Sequence, residues 1–313
     1  VIGFDQQSQN GILDMSARSA ERTRAFAKYL GQGIANYHRQ DANQDLGKDQ
    51  VAFLNMVQPQ TSGARDGVFL WNIEAYDDIE EPREDFQSPL TSLYTVAAGF
   101  KPNRILQTHG WDSGSRVVYF DYSLKALEIR KYMVDHWDGV DFPRFVERLF
   151  EVFPHPGTFY QLWDGLTPDE VDPADIRRMW QRELERWGSA QQFADHWRGY
   201  RELAHEYVGC NILTDPAPLF ERIVAQPNAV IWWSNAFFTM YGNWFYTLDQ
   251  RSRVYEDWIE QIARFNPDLF LFGSDYNNVN VNSVRAAEYW AAYRRAGSNC
   301  LVPCRLSKTE IRM

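Results

Sequence analysis

The sequence predicts an α/β protein whose mostly parallel, doubly wound sheet carries helices on both faces. Three observations predict it. Short apolar runs of strand length recur along the chain, separated by amphipathic stretches of helical period. One run, Arg116-Val-Val-Tyr-Phe-Asp, ends in an acid and passes almost at once into a helical pattern at Leu124. A turn of small residues, Ala97-Ala98-Gly99, stands about 20 residues upstream, the spacing of a βαβ unit that holds a nucleoside-bearing ligand. Strands alternating with helices require a sheet covered on both sides.

Taken in order, residues 16 to 39 read as a helix capped by Ser16, with Phe26, Tyr29, Leu30 and Ile34 as its apolar stripe. Strand-like runs follow at Val51 to Met56 and Gly67 to Ile73, joined by a turn-rich connection, and the acidic stretch Asp77 to Asp85 reads as exposed. Residues 1–90 thus form an N-terminal extension of helix and strands. The core, 91–313, opens with a strand at Leu93 to Ala98 and a short helix at Asn103 to His109. The strand Arg116 to Asp121 and a helix at Leu124 to Trp137 come next. Residues 138–203 break the alternation. They set Pro143, Pro154, Pro156, Pro168 and Pro173 among helical patterns such as Ala174 to Trp187 and Ala190 to His205, and read as a helical insertion able to act as a lid. Strands resume at Tyr207 to Leu213, Ala229 to Ser234 and Asp268 to Phe272, with helices at Pro216 to Ala225 and Tyr255 to Phe265. A helix at Val281 to Gly297 and one or two strands within Cys300 to Ile311 complete the pattern.

Composition narrows the function. A chain of 313 residues makes one large domain or two modest ones. A net charge of −10 argues against a nucleic-acid partner, because gripping phosphates needs a concentrated basic surface. No apolar segment approaches the roughly 18 residues that span a bilayer, so no membrane partner is expected. Cys210, Cys300 and Cys304 are too few and too ill-spaced for a zinc framework, and reduced thiols of a cytoplasmic protein are the default reading. The six histidines show no metal-ligand spacing, and no metal is expected. Tryptophan is abundant, with 12 residues, and core packing is the first expectation for any one of them. Oligomeric state is not legible.

The core segments resemble, in order, those of class I S-adenosyl-L-methionine-dependent methyltransferases. Val117-Val-Tyr-Phe-Asp-Tyr-Ser-Leu-Lys-Ala-Leu resembles the family's second motif, and Gly209-Cys-Asn-Ile-Leu-Thr-Asp its third. Ala229-Val-Ile-Trp-Trp-Ser-Asn-Ala-Phe resembles the fourth, and Pro267-Asp-Leu-Phe-Leu-Phe-Gly-Ser-Asp the fifth strand with its turn. The resemblance covers about half the chain. It implies a Rossmann-like fold, S-adenosyl-L-methionine as cofactor and a small-molecule substrate. It further implies cofactor contacts from Ala97, Ala98, Gly99 and Phe100, from Asp121 and Tyr122, from Asn211 and Ile212, and from Ser234. The first motif departs from the family, because Leu93-Tyr-Thr-Val-Ala-Ala-Gly-Phe has neither the usual acid nor the run of glycines.

Asp121 carries the prediction on chemical grounds as well. A carboxylate accepts two hydrogen bonds side by side, which suits the vicinal hydroxyls of a ribose, although the same acid can cap the helix that follows. The aromatic segment from Trp232 to Tyr246 surrounds Ser234 and Asn235 at a strand end, and its rings, Tyr241 among them, suit a sulfonium cation. Asn235 and Tyr241 are the expected catalytic residues, together with Glu74 at the end of the Gly67 to Ile73 run. Methyl transfer by in-line attack is the first reading. Cyclisation of the cofactor or other non-methylating chemistry is the second, suggested by the altered first motif. A nucleotide-sugar glycosyltransferase and a catalytically silent binding domain are the rivals.

Overall fold

The structure is a computed structural model that describes residues 67–70, 82–153, 159–161, 173–238, 246 and 248–297. The helix expected at 16–39, the strand at Val51 to Met56, most of the acidic stretch and the C-terminal strands lie outside these residues.

The main sheet has six described strands: β2 (Ser92–Val96), β3 (Arg116–Asp121), β5 (Ala204–Gly209), β6 (Ala229–Trp232), β7 (Phe270–Ser274) and β8 (Asn280–Arg285). Their order is β5-β3-β2-β6-β7-β8, parallel throughout except for β8, which runs antiparallel to β7. Two further strands, β1 (Gly67–Phe69) and β4 (Phe159–Gln161), pair in parallel as a separate ribbon.

The helices are α1 (Lys101–His109), α2 (Leu124–His136), α3 (Phe142–Val152), α4 (Pro173–Trp187) and α5 (Ala190–Arg201). They continue with α6 (Ala217–Phe220), α7 (Leu248–Phe265) and α8 (Ala286–Ala296). Strand periodicity sorts the core into two layers. Leu93, Val117, Tyr119, Val230, Trp232, Phe270 and Phe272 meet α1 to α5 on one face. The alternate residues Tyr94, Val118, Phe120, Ile231, Trp233 and Leu271 meet α6, α7 and α8 on the other. The expected α/β sheet, mostly parallel and flanked by helices, is therefore what the chain forms.

The βαβ unit ending in α2 follows its expected bounds closely. After β3 the Ser123 hydroxyl accepts a hydrogen bond from the Ala126 N–H at 3.1 Å and starts α2. Several bounds differ from expectation: the strand expected at Tyr207 to Leu213 ends at Gly209, the helix expected at Pro216 to Ala225 is Ala217–Phe220, and the helix expected at Tyr255 to Phe265 begins at Leu248. Two further differences change the type of element. The helix expected to reach His205 stops at Arg201, and Ala204 to Gly209 form a strand registered against Arg116 to Asp121. Among the described strands this one lies at the margin of the sheet, so its residues need not be apolar and its polar start resembles the tail of a helix. The helix expected over Val281 to Gly297 is instead β8 followed by the shorter α8. The cause is a tight turn in which Asp275 Oδ1 accepts from the N–H groups of Asn277 and Val279, both at 2.8 Å. That turn folds Val281 and Val284 back onto β7, where they are buried.

The residues between α2 and β5 join the core through rings. Phe100, the residue before α1, lies within 6.3 Å, centroid to centroid, of Trp137, Phe142, Trp180, Phe193 and Trp197. Trp137 and Trp197 are 4.6 Å apart, and the Trp197 indole N–H donates to the Trp137 carbonyl at 2.9 Å. Gly139 makes this closeness possible. It has φ +82°, and a Cβ there would stand 2.7 Å from the Trp197 side chain.

Candidate functional site

Strand order changes direction between β2 and β6, because β3 and β5 lie on one side of β2 while β6 and β7 lie on the other. Open α/β sheets hold ligands at the carboxyl edge beside such a reversal. The last registered pair there is Thr95 with Trp232. Beyond it β2 continues into Ala97 to Gly99, and β6 into Ser234 and Asn235.

Asp121 sits at the same edge, on the tip of β3. Its Oδ2 accepts from the Ala97 N–H at 3.2 Å and its Oδ1 from the Ser123 N–H at 2.9 Å. Its carbonyl accepts from Cys210 at 2.9 Å, so one residue ties together the ends of β2, β3 and β5. Burial pushes the carboxyl up to about 6, against the Ser123, Ala97 and Tyr122 N–H groups and the Arg130 charge that favour ionisation. It is ionised by roughly ten to one at neutral pH. The two oxygens offer about four lone-pair directions, more than the Ser123, Ala97 and Tyr122 N–H groups fill, so acceptor capacity remains for a ligand hydroxyl.

The turn before α1 is held from below. Gly99 has φ +50°, and its carbonyl accepts from the Arg130 guanidinium at 2.7 Å. Arg130 is buried, 3% exposed, with its guanidinium 5.3 Å from the centre of the Tyr119 ring. Beneath it the Tyr119 and Tyr200 hydroxyls share a short hydrogen bond, and burial raises both phenols above their ordinary range. Arg130 is not among the residues expected from the sequence. A signal existed: a charged residue occupies the inner stripe of α2, between Leu127 and Val134.

Leu124 is not among them either. It opens α2 three residues after Asp121, is 71% exposed, and its Cδ2 would lie 2.7 Å from a Cβ at Gly209. An exposed leucine beside the carboxylate, kept close to the end of β5 by a glycine, offers an apolar ledge at the rim.

Comparison with protein-family models and with curated proteins finds no match for this chain.

The remaining expected residues divide into three groups. Ala97, Ala98, Gly99, Asp121 and Tyr122 lie together at the ends of β2 and β3, with Asn211 and Ile212 just past β5. Asn211 is committed to its turn, since its Oδ1 accepts from the Leu213 N–H at 3.0 Å and its carbonyl from Thr214 and Asp215. Ile212 and the ring of Phe100 are buried in the core, which leaves their backbones to face a ligand. Ser234 and Asn235 form the β6 portion of the edge, where Ser234 has φ +58°, a left-handed conformation rare outside glycine. The Ser234 carbonyl accepts from Ser274 at 2.7 Å, fastening this turn to β7. Tyr241 and Glu74 lie outside the described residues.

Among the described residues no group of three or more His, Cys, Asp or Glu side chains is placed to hold a metal ion, and no helix is long and apolar enough to cross a membrane. The Cys210 thiol is buried, and burial pushes it up to about 11, which leaves it protonated and a poor nucleophile at neutral pH.

Proposed function

We propose that the chain is an S-adenosyl-L-methionine-dependent enzyme acting on a small molecule, in the first instance by methyl transfer. The observation that carries this reading is the Asp121 carboxylate, fixed by the Ala97 and Ser123 N–H groups at the carboxyl edge beside the strand-order reversal. In this reading residues 91–313 are a Rossmann-like core, 138–203 a helical insertion and 1–90 an N-terminal extension.

Asp121 takes the two ribose hydroxyls, and Leu124 supplies an apolar surface for the base next to Asn211. The small side chains of Ala97 and Ala98 let the backbone approach the nucleoside, and Arg130 keeps the Gly99 turn in its left-handed conformation. The bound cofactor supplies a methyl group already activated by its sulfonium. The protein's contribution is then proximity and alignment, with Ser234 and Asn235 orienting the incoming nucleophile at the end of β6.

A second reading keeps the cofactor and changes the chemistry. β2 reads Ser-Leu-Tyr-Thr-Val and carries no acid for the amino-acid end of the cofactor, which favours non-methylating reactions such as cyclisation of its own side chain.

The test is calorimetric titration with S-adenosyl-L-methionine, S-adenosylhomocysteine and nucleotide sugars, followed by mass spectrometry of the turned-over cofactor. Binding of both adenosyl compounds is expected. S-adenosylhomocysteine as product supports methyl transfer, and methylthioadenosine supports the second reading. Binding of a nucleotide sugar alone overturns both.

A further inference from the structure

Away from the carboxyl edge of the sheet, an unusual group among the described residues is the Glu183 carboxyl on α4. The side chain is 1% exposed; Oε1 accepts from the Trp187 indole N–H at 2.8 Å, while Oε2 has no hydrogen-bond partner. A buried acceptor left unmatched is costly, and more so as a charge. Among the described residues, two charged groups act on it. Arg186, on the same helix, stands 4.0 Å away and is 37% exposed, and Arg104 acts from α1.

Trp187, the residue that binds Glu183, and Trp180 on the same helix meet neutral groups of the neighbouring helices. From α5, His196 lies 4.6 Å from the Trp187 ring, and burial pushes it down to about 4, so it is uncharged at neutral pH. His196 Nε2 meets Asn103 Nδ2 of α1 at 3.3 Å. Asn103 is fully buried and its Oδ1 is likewise without a partner. From α3, Phe142 packs on Trp180 of α4. The run Glu183–Trp187–His196–Asn103 therefore joins α4, α5 and α1, and α1 begins at the Gly99 turn of the cleft.

We propose that Glu183 is a pH-sensitive clasp: as the neutral acid it lets α4 close on α5 and α1, and as the carboxylate it loosens α4 from them. Burial pushes this carboxyl up to about 7, with the Trp187 N–H, Arg186 and Arg104 opposing. The sign follows from linkage. A carboxyl whose value is raised in the packed state binds its proton more tightly there than when α4 is open. Packing is then fully favoured below the ordinary 4.5 and loses ground until about 7. Being internal to α4, α5 and α1, the clasp holds whichever ligand the cleft takes.

The test is hydrogen exchange of the full chain from pH 5 to 8, corrected for the intrinsic pH dependence of amide exchange, on wild type and Glu183→Gln. Protection of α4 in the wild type is expected to fall by up to about tenfold per pH unit towards pH 7 and then level off. In Glu183→Gln it is expected to stay flat. Equal slopes in the two proteins, or a flat wild-type profile, overturn the proposal. Should the Gln variant not fold, carboxyl-carbon NMR of wild-type Glu183 decides. A midpoint near pH 7 supports the clasp, and one near 4.5 removes it.

Discussion

Replacing Asp121 with Asn keeps the shape of the side chain and removes its charge, which makes it the sharpest probe of the cleft. One amide oxygen can still accept from Ser123, but the amide NH2 then faces the Ala97 N–H, donor against donor. A ribose would lose a carboxylate that accepts from both hydroxyls. Hydrogen bonds to a charged group are worth about 1.5–3 kcal/mol each, so the two together predict a loss of about 3–6 kcal/mol. That is a weakening of at least about a hundredfold in Kd for S-adenosylhomocysteine, readable by calorimetry. The wild type should show the matching pH profile. Because Asp121 ionises near 6, affinity should hold above that value and fall by up to about tenfold per pH unit below it. Folding stability runs the other way. A carboxyl raised from 3.8 to about 6 favours the folded state fully below 3.8 and loses that advantage as pH rises through 6. The difference is about 3 kcal/mol at most, less once solvent in the cleft screens the charge, and Asp121→Asn should flatten it. An Asn variant that binds S-adenosylhomocysteine as tightly as wild type would refute the ribose assignment outright.

Three further outcomes are expected. Arg130→Met should release the Gly99 carbonyl and weaken nucleoside binding by about tenfold or more, the worth of a charge-assisted hydrogen bond, and should move the Asp121 pH profile upward in calorimetry, because the Arg130 charge no longer favours the carboxylate. Tyr119→Phe should cost about 1–3 kcal/mol in urea unfolding by stranding the buried Tyr200 hydroxyl, whereas the double change to Phe should recover much of that loss. Gly139→Ala should lower stability by about 2–5 kcal/mol in the same assay, because strain at φ +82° adds to the clash with Trp197.

The parts of the fold legible in the sequence are those where local signals and tertiary packing agree. Arg116 to Asp121 is an apolar run between polar ends, and Ser123 is a helix cap by its own chemistry, so β3 and the start of α2 could be placed closely. β5 hid its start because a strand at the margin of a sheet needs no apolar pattern, and only its backbone pairing with β3 distinguishes it. β8 hid because Val281 and Val284 are spaced as well for a helix as for a bulged strand. The turn at Asp275 makes the choice, through hydrogen bonds that hydropathy does not encode. In the cleft, Asp121 could be located by its place at a strand tip. Its bond to Ala97 could not, nor could the reach of Arg130 to Gly99, since both join residues more than twenty positions apart.

Trp232 and Trp233 are neighbours in sequence, yet their indoles are driven into opposite layers of the molecule, and both are fully buried. The second also hydrogen-bonds Ser274 at 2.8 Å, and a Cβ on Gly273 would stand 2.4 Å from its ring. They act as a pair of dowels through the central plank, so the tip of β6 cannot tilt without disturbing both halves at once. The Ser234 end of the edge is therefore a stiff wall, and any adjustment of this edge has to come from the opposite bank, where α1 and α2 begin.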